Sequence, residues 1–118
     1  MNEKEFKDKT KRVALGVIRL VEDLPNTKVA DVLGRQVLRS ATSIGANYRA
    51  ACRAKSTADM INKLKIVEEE SDETLYWFEL LTESGIISPA KTPGLYKETD
   101  EILSMTVASI KTLRSRKS

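Results

Sequence analysis

The chain has 118 residues, of which 41% are hydrophobic and 31% are charged, a balance typical of one folded domain. It has no histidine, so the commonest general base and the imidazole metal ligand are both missing, and its single cysteine, Cys52, excludes an internal disulfide. We therefore expect no cofactor. We also expect a cytoplasmic protein, because the N-terminus lacks an apolar signal core and the longest apolar run, residues 13–18, is too short to span a membrane.

The net charge of +3 is distributed unevenly along the sequence. Residues 28–65 carry eight basic and two acidic groups, whereas residues 66–103 carry two basic and ten acidic groups. The last 15 residues, 104–118, carry four basic groups and no acidic group. The basic part can bind an anion, or it can pair with the acidic part of the same protein, and the sequence leaves both possibilities open.

The first predicted helix spans residues 3–24. Its core-facing side chains recur at steps of three and four residues, namely Phe6, Thr10, Val13, Val17, Leu20 and Leu24. Pro25 ends the helix, since the residue before a proline is disfavoured in the helical conformation. Leu15 and Ile18 are apolar but lie off this core face.

The second predicted helix spans residues 27–55 and follows the good capping residues Asn26 and Thr27. Its predicted core face consists of Leu33, Val37, Ala41, Ile44, Tyr48 and Ala51. Gly34 and Gly45 lower its helix propensity, and we interpret them as places where a neighbouring helix approaches closely.

The third predicted helix spans residues 57–84, with Ser56 as its cap and Gly85 at its end. One face carries Ile61, Leu64, Ser71, Leu75, Phe78 and Thr82. Ile66, Trp77 and Leu81 lie off that face, and a helix with two apolar faces normally has two partners. Together with Leu15 and Ile18, these three residues form the predicted interface of a homo-oligomer, since a large apolar surface is seldom left in water.

The fourth predicted helix spans residues 93–114 and begins with Thr92 as the cap and Pro93 in the first position. The connections between the first three helices are only a few residues long, so consecutive helices must be antiparallel. The sequence therefore predicts a single all-α domain over residues 1–118, an antiparallel up-down-up-down four-helix bundle.

The segment from Gln36 to Asn47 resembles the second helix of the bacterial four-helix bundle proteins, a family first met as proteins encoded in intervening sequences of large-subunit ribosomal RNA genes. The matching positions are Gln36, Arg39, Ser43, Ile44 and Asn47. Similar but less specific matches follow at residues 55–56, 68–70 and 75–76. Where the family often continues with Ile-Ala-Glu-Gly, this chain has Tyr-Arg-Ala-Ala at residues 48–51, so any role of that acid does not transfer.

The resemblance implies a four-helix bundle that assembles as a ring-like homopentamer and binds a nucleic acid or a ribonucleoprotein. A more distant relative is the accessory protein of diversity-generating retroelements, which engages a reverse transcriptase and RNA. The resemblance specifies the fold more closely than the activity.

The residues themselves argue against an enzyme. A di-iron bundle needs a Glu-x-x-His motif, which cannot occur without histidine, and one cysteine cannot build a structural zinc site. Cys52 is a candidate nucleophile, but no partner base is apparent, and we interpret it as a small core residue. The acidic run at residues 68–73 could hold a cation, although consecutive helical residues point in different directions, which is typical of a solvated face.

The second helix carries the most informative pattern, which we name the basic stripe and which consists of Arg35, Arg39, Arg49 and Arg53. At 100° per residue the four arginines share one side of the helix, only small side chains separate them, and no acid occurs from residue 32 to residue 58. The stripe, continued by Lys55, is a candidate surface for the phosphates of RNA or DNA. The alternative is a protein interaction scaffold in which the arginines pair with carboxylates, within or between subunits.

Overall fold

Four long helices form in the computed structural model, which describes residues 2–117. They are α1 (Glu3–Glu22), α2 (Lys28–Cys52), α3 (Thr57–Glu83) and α4 (Pro93–Lys117), with one turn of 3₁₀ helix at Pro89–Lys91 before α4. The described residues contain no strand. The predicted all-α four-helix bundle is thus confirmed. Within the same range no helix combines the length and the apolarity that crossing a membrane requires.

Local capping explains where the helices begin. The side chain of Thr27 accepts a hydrogen bond from the backbone nitrogen of Ala30 at 3.2 Å, and Ser56 accepts one from Asp59 at 3.0 Å. Each cap satisfies one of the backbone donors that a helix leaves unpaired in its first turn. At the other end of α3, Gly85 adopts a φ of 81°, the left-handed conformation that favours glycine.

Two helix ends differ from the prediction by three residues each, and α1 ends at Glu22, two residues before the predicted end at Leu24. α2 ends at Cys52, three residues before the expected end. The backbone nitrogens of Arg53 and Ala54 donate to carbonyls three residues earlier, both at 3.1 Å, and that of Lys55 donates to the side chain of Asp59 at 3.1 Å. α4 continues to Lys117, three residues beyond the expected end, with no glycine or proline to stop it. As a result, Arg53 and Lys55 lie outside α2, whereas Arg116 and Lys117 lie inside α4.

The helices pack in cyclic order, so that α1 contacts α2 and α4, and α3 contacts the same two helices on its other sides. The buried core contains most of the predicted residues, among them Val13, Val17, Val37, Ile44 and Phe78. Leu81 is a correction to the predicted oligomer interface, because its side chain is 0% exposed inside the bundle. The reason is that α3 packs against both α2 and α4, which makes its buried arc wider than one stripe.

Several hydroxyl groups are also buried in this core, and each donates to a carbonyl four residues earlier in its own helix. The pairs, all at 2.7 Å, are Ser71 with Val67, Thr74 with Glu70, Thr99 with Leu95, and Thr106 with Ile102. The hydroxyl of Thr74 also lies 2.8 Å from that of Ser40 on α2. These four buried hydroxyl groups are therefore satisfied without water.

Candidate nucleic-acid interface

The basic stripe lies on the outer surface of α2, opposite the core-facing Val37 and Ile44. Its four arginines are exposed along the helix, with exposed small residues between them, and at 1.5 Å per residue the stripe is about 27 Å long. A surface of this shape can follow a line of negative charges, provided that its arginines are not already paired.

Two of the four arginines are paired within the chain. Arg35 lies 3.0 Å from the carboxylate of Asp31 one turn earlier, and both side chains are exposed. Arg39 reaches across to α3, where it contacts Glu70 at 3.3 Å and also Glu73. The Glu70 side chain is mostly buried, so Arg39 supplies the charge that this carboxylate needs. The middle of the stripe thus joins α2 to α3.

Arg49 has a different environment, because it lies beside the N-terminal half of α1. It lines a groove of about 520 Å³ between α1 and α2 together with Lys4, Lys7 and Lys11. Lys4 and Lys7 pair with acids on their own helix, whereas no ion pair of Arg49 or Lys11 occurs within residues 2–117. The groove thus has two cations that are free to bind an anion.

A close approach of the two helices brings these cations together. A side chain at Gly45 would place its Cβ 3.1 Å from the Thr10 hydroxyl oxygen, closer than an ordinary contact. The absence of a side chain there lets α1 lie directly against α2, which sets Lys11 beside Arg49. The α1 lysines are not apparent as a binding surface from the sequence, because Glu3, Glu5 and Asp8 among them give this part of α1 the pattern of an ordinary solvated helix surface.

Arg53 and Lys55 lie in the turn between α2 and α3, and both are exposed. The backbone nitrogen of Arg53 donates to the carbonyl of Ala50 at 3.1 Å, in the turn that ends α2. Neither side chain forms an ion pair with any part of the chain that the structure describes. These two residues continue the unpaired part of the stripe beyond Arg49.

The other candidate surface is apolar. Leu15, Ile18 and Ile66 are 46%, 38% and 40% exposed, so they are available to a second copy of the chain. Trp77 is half-buried, and its indole N–H is buried without an acceptor among the described residues. Leu15 and Ile18 belong to α1. Ile66 and Trp77, by their helical phase, lie on the side of α3 that faces α2.

Cys52 lies at the end of α2 in a half-buried position against the core. Burial raises the pKa of its thiol, and burial is also the main reason why the pKa of the Tyr48 hydroxyl is raised. Tyr48 in turn stacks on Phe6 with ring centroids 4.0 Å apart. The thiol therefore stays protonated at neutral pH, which is unfavourable for a nucleophile.

Residues 2–108 match the model of the 23S rRNA-intervening sequence protein family. The chain belongs to this family. It is also 39% identical to a protein of unknown function from the S23 ribosomal protein family of Bacteroides thetaiotaomicron VPI-5482, whose crystal structure aligns with a TM-score of 0.86 over 94% of this chain and 99% of that one. No protein of curated function matches the sequence.

Membership of the 23S rRNA-intervening sequence protein family agrees with the resemblance noted from Gln36, Arg39, Ser43, Ile44 and Asn47. Four of these positions have visible structural roles in the bundle, and one of them, Ile44, is buried in the core. Arg39 joins α2 to α3, and the amide of Asn47 donates to the carbonyl and the hydroxyl of Ser43 at 2.9 and 2.8 Å.

Proposed function

We propose that this chain is a non-enzymatic protein that binds the phosphate backbone of a nucleic acid. The contact surface consists of the unpaired part of the basic stripe, Arg49, Arg53 and Lys55, together with Lys11 across the groove. The observation that carries the proposal is that these four exposed cations form no ion pair within residues 2–117. Arg49 and Lys11 line the same groove, and Arg53 and Lys55 follow Arg49 along the chain.

The chemistry of the surface favours the backbone over the bases. Phosphate contacts from arginine and lysine supply affinity, whereas sequence is recognised by groups that reach base edges or stack on bases. The exposed aromatic side chain Tyr76 lies on α3, away from this surface. The name of the family, which refers to an intervening sequence of ribosomal RNA, is consistent with a nucleic-acid partner.

We further propose that the bundle works as a homo-oligomer assembled through Leu15, Ile18, Ile66 and Trp77. An assembly would cover these exposed side chains and would offer an acceptor to the indole N–H. It would also repeat the basic surface in each subunit, so that weak single contacts add up to useful avidity. A monomeric mass at micromolar concentration would exclude this assembly.

The second candidate function is a protein interaction scaffold, and one observation favours it. Arg39 already pairs with Glu70 and Glu73, so at least part of the stripe stabilises the protein. We therefore assign Arg39 to the structure and leave it out of the proposed contact surface. Binding measurements on the remaining arginines distinguish the two functions.

The test uses the full chain and fluorescently labelled RNA and duplex DNA at several salt concentrations. Each phosphate that a cation neutralises releases counterion, so log K should fall steeply with log salt, by about 0.9 per contact for a duplex. Replacing Arg49 and Arg53 by glutamine should make this slope shallower by about two units.

The matched control is Lys97→Gln, which removes an exposed charge at the opposite end of the bundle. It should leave the slope unchanged, and circular dichroism should show that all variants are folded. If the wild-type protein binds neither RNA nor duplex DNA at low salt, the nucleic-acid proposal fails. An Arg49→Gln/Arg53→Gln variant that binds normally but loses thermal stability would favour the scaffold.

A further inference from the structure

Charge is separated between the two ends of the bundle. One end, which we name the basic end, contains the start of α1, the turn between α2 and α3, and the end of α4, or residues 2–12, 47–68 and 106–116. These segments carry 13 basic and 5 acidic groups, a net charge of +8. The rest of the bundle, residues 13–46 and 69–105, carries 6 basic and 12 acidic groups, a net charge of −6. Long-range attraction therefore directs a polyanion to the basic end.

The last turns of α4 extend past the start of α1 at this end. Lys9 of α1 contacts Glu101 of α4 at 2.7 Å, which fixes the relative position of the two antiparallel helices. From Glu101 to Arg116 the helix rises about 22 Å, whereas α1 has only about 9 Å left before Glu3. α4 therefore extends about 13 Å past the start of α1.

The projecting part of α4 is cationic and open to solvent. Lys111, Arg114 and Arg116 are exposed, and we find no ion pair for them within the described part of the chain. Arg116 lies beside Met60 at the start of α3, in a groove that α1 is too short to fill. These three residues form a second group of free cations, and nothing in the proposed function has used them.

The two cationic groups lie at the ends of α2 and α4, two helices that are diagonal to each other. α2 and α4 both contact α1 and α3, so they occupy opposite corners of the bundle. With neighbouring axes 8–10 Å apart, the diagonal axes are about 13 Å apart, and the bundle is 21 Å across. A single strand offers one line of phosphates, whereas a double helix offers two, which lie about 12 Å apart across the major groove of B-form DNA. Side chains that extend outward from the two corners of the bundle can reach two such lines.

We infer that the basic end binds a double-helical nucleic acid across both strands. Arg49, Arg53 and Lys55 contact one phosphate backbone, and Lys111, Arg114 and Arg116 contact the other. This inference rests on the proposed function, because it takes phosphate binding as given and specifies the form of the nucleic acid. Recognition of this kind depends on the spacing of the backbones and not on the sequence of the bases.

The test compares an RNA duplex and a DNA duplex of about two helical turns with one strand of each. We expect the wild-type protein to bind at least one duplex more tightly than its own single strand. The variant Arg114→Gln/Arg116→Gln should bind that duplex about 60-fold more weakly at about 0.1 M salt, with a slope shallower by about 1.8. The affinity of this variant for the single strand should change much less, because the strand can still bind Arg49, Arg53 and Lys55.

Two further variants make the outcome specific. Arg114→Lys/Arg116→Lys keeps both charges and should retain the salt slope of the wild-type protein, which separates a charge effect from a structural one. Arg19→Gln/Lys97→Gln removes two exposed charges from the opposite end and should not affect binding.

The result that would overturn the inference is equal affinity for duplexes and single strands, or normal duplex binding by Arg114→Gln/Arg116→Gln. If the α2 variant Arg49→Gln/Arg53→Gln still weakens binding in that case, the proposed function stands and only the duplex inference fails. If the wild-type protein binds none of the four probes, both fail.

Discussion

Replacing Phe78 by alanine tests whether α3 is oriented in the bundle as described. The ring is 1% exposed, and it reaches from α3 towards α4, where its centroid lies 6.4 Å from that of Tyr96. Truncation of a buried phenylalanine costs about 3–5 kcal/mol, through lost burial and the cavity that remains. The free energy of unfolding of such a domain is about 5–15 kcal/mol, so the variant should still fold but with much less stability.

The measurement is urea unfolding followed by circular dichroism, with all variants at one protein concentration, because assembly would shift apparent stability. The midpoint of thermal unfolding should fall by about 12–20 °C, at about 4 °C per kcal/mol. The control is Tyr76→Ala, two residues earlier on α3, where the side chain is 52% exposed and the expected loss is below about 1 kcal/mol. A loss below about 1 kcal/mol for Phe78→Ala would show that the ring is not central to the core.

Three further predictions concern charges and the thiol. Arg39→Gln should lower the free energy of unfolding by about 1 kcal/mol, measured in urea, because it leaves the mostly buried Glu70 carboxylate unpaired; an unchanged midpoint would contradict this. The hydrogen bond from Lys9 lowers the pKa of the Glu101 carboxyl group. The contribution of Glu101 to stability is therefore present above pH 4.5 and is lost as the pH falls through the lowered pKa. Glu101→Gln should weaken the acid dependence of unfolding in that range. Burial raises the pKa of Cys52, so alkylation at pH 8 should be slower than for a free thiol, and an equal rate would refute the described position.

The sequence predicted the helices and most of the core because both depend on local patterns. Phe6, Val13, Val17 and Val37 follow the helical period, and the capping residues and prolines mark the helix ends closely. The prediction was wrong for Leu81, because the period alone does not tell how wide an arc a helix buries. That width depends on the number of neighbouring helices, which is a property of the fold.

The candidate site was less accessible to sequence reasoning. The stripe on α2 was apparent because its arginines share one helical face, but the pairing of Arg39 with Glu70 depends on how α2 and α3 are aligned. The basic end could not be found from any local pattern, since Lys11, Arg53 and Arg114 are far apart in the sequence. Antiparallel packing of the four helices brings them to one end.

The buried threonines of α4 have a consequence for how this family can change over evolutionary time. Because the hydroxyls of Thr99 and Thr106 donate to carbonyls of their own helix, they need no hydrogen-bond partner on the neighbouring helices. To those neighbours each threonine has nearly the shape of a valine. A valine at either position should therefore fit the same space with little change to the fold, so these two positions can change while the bundle is kept.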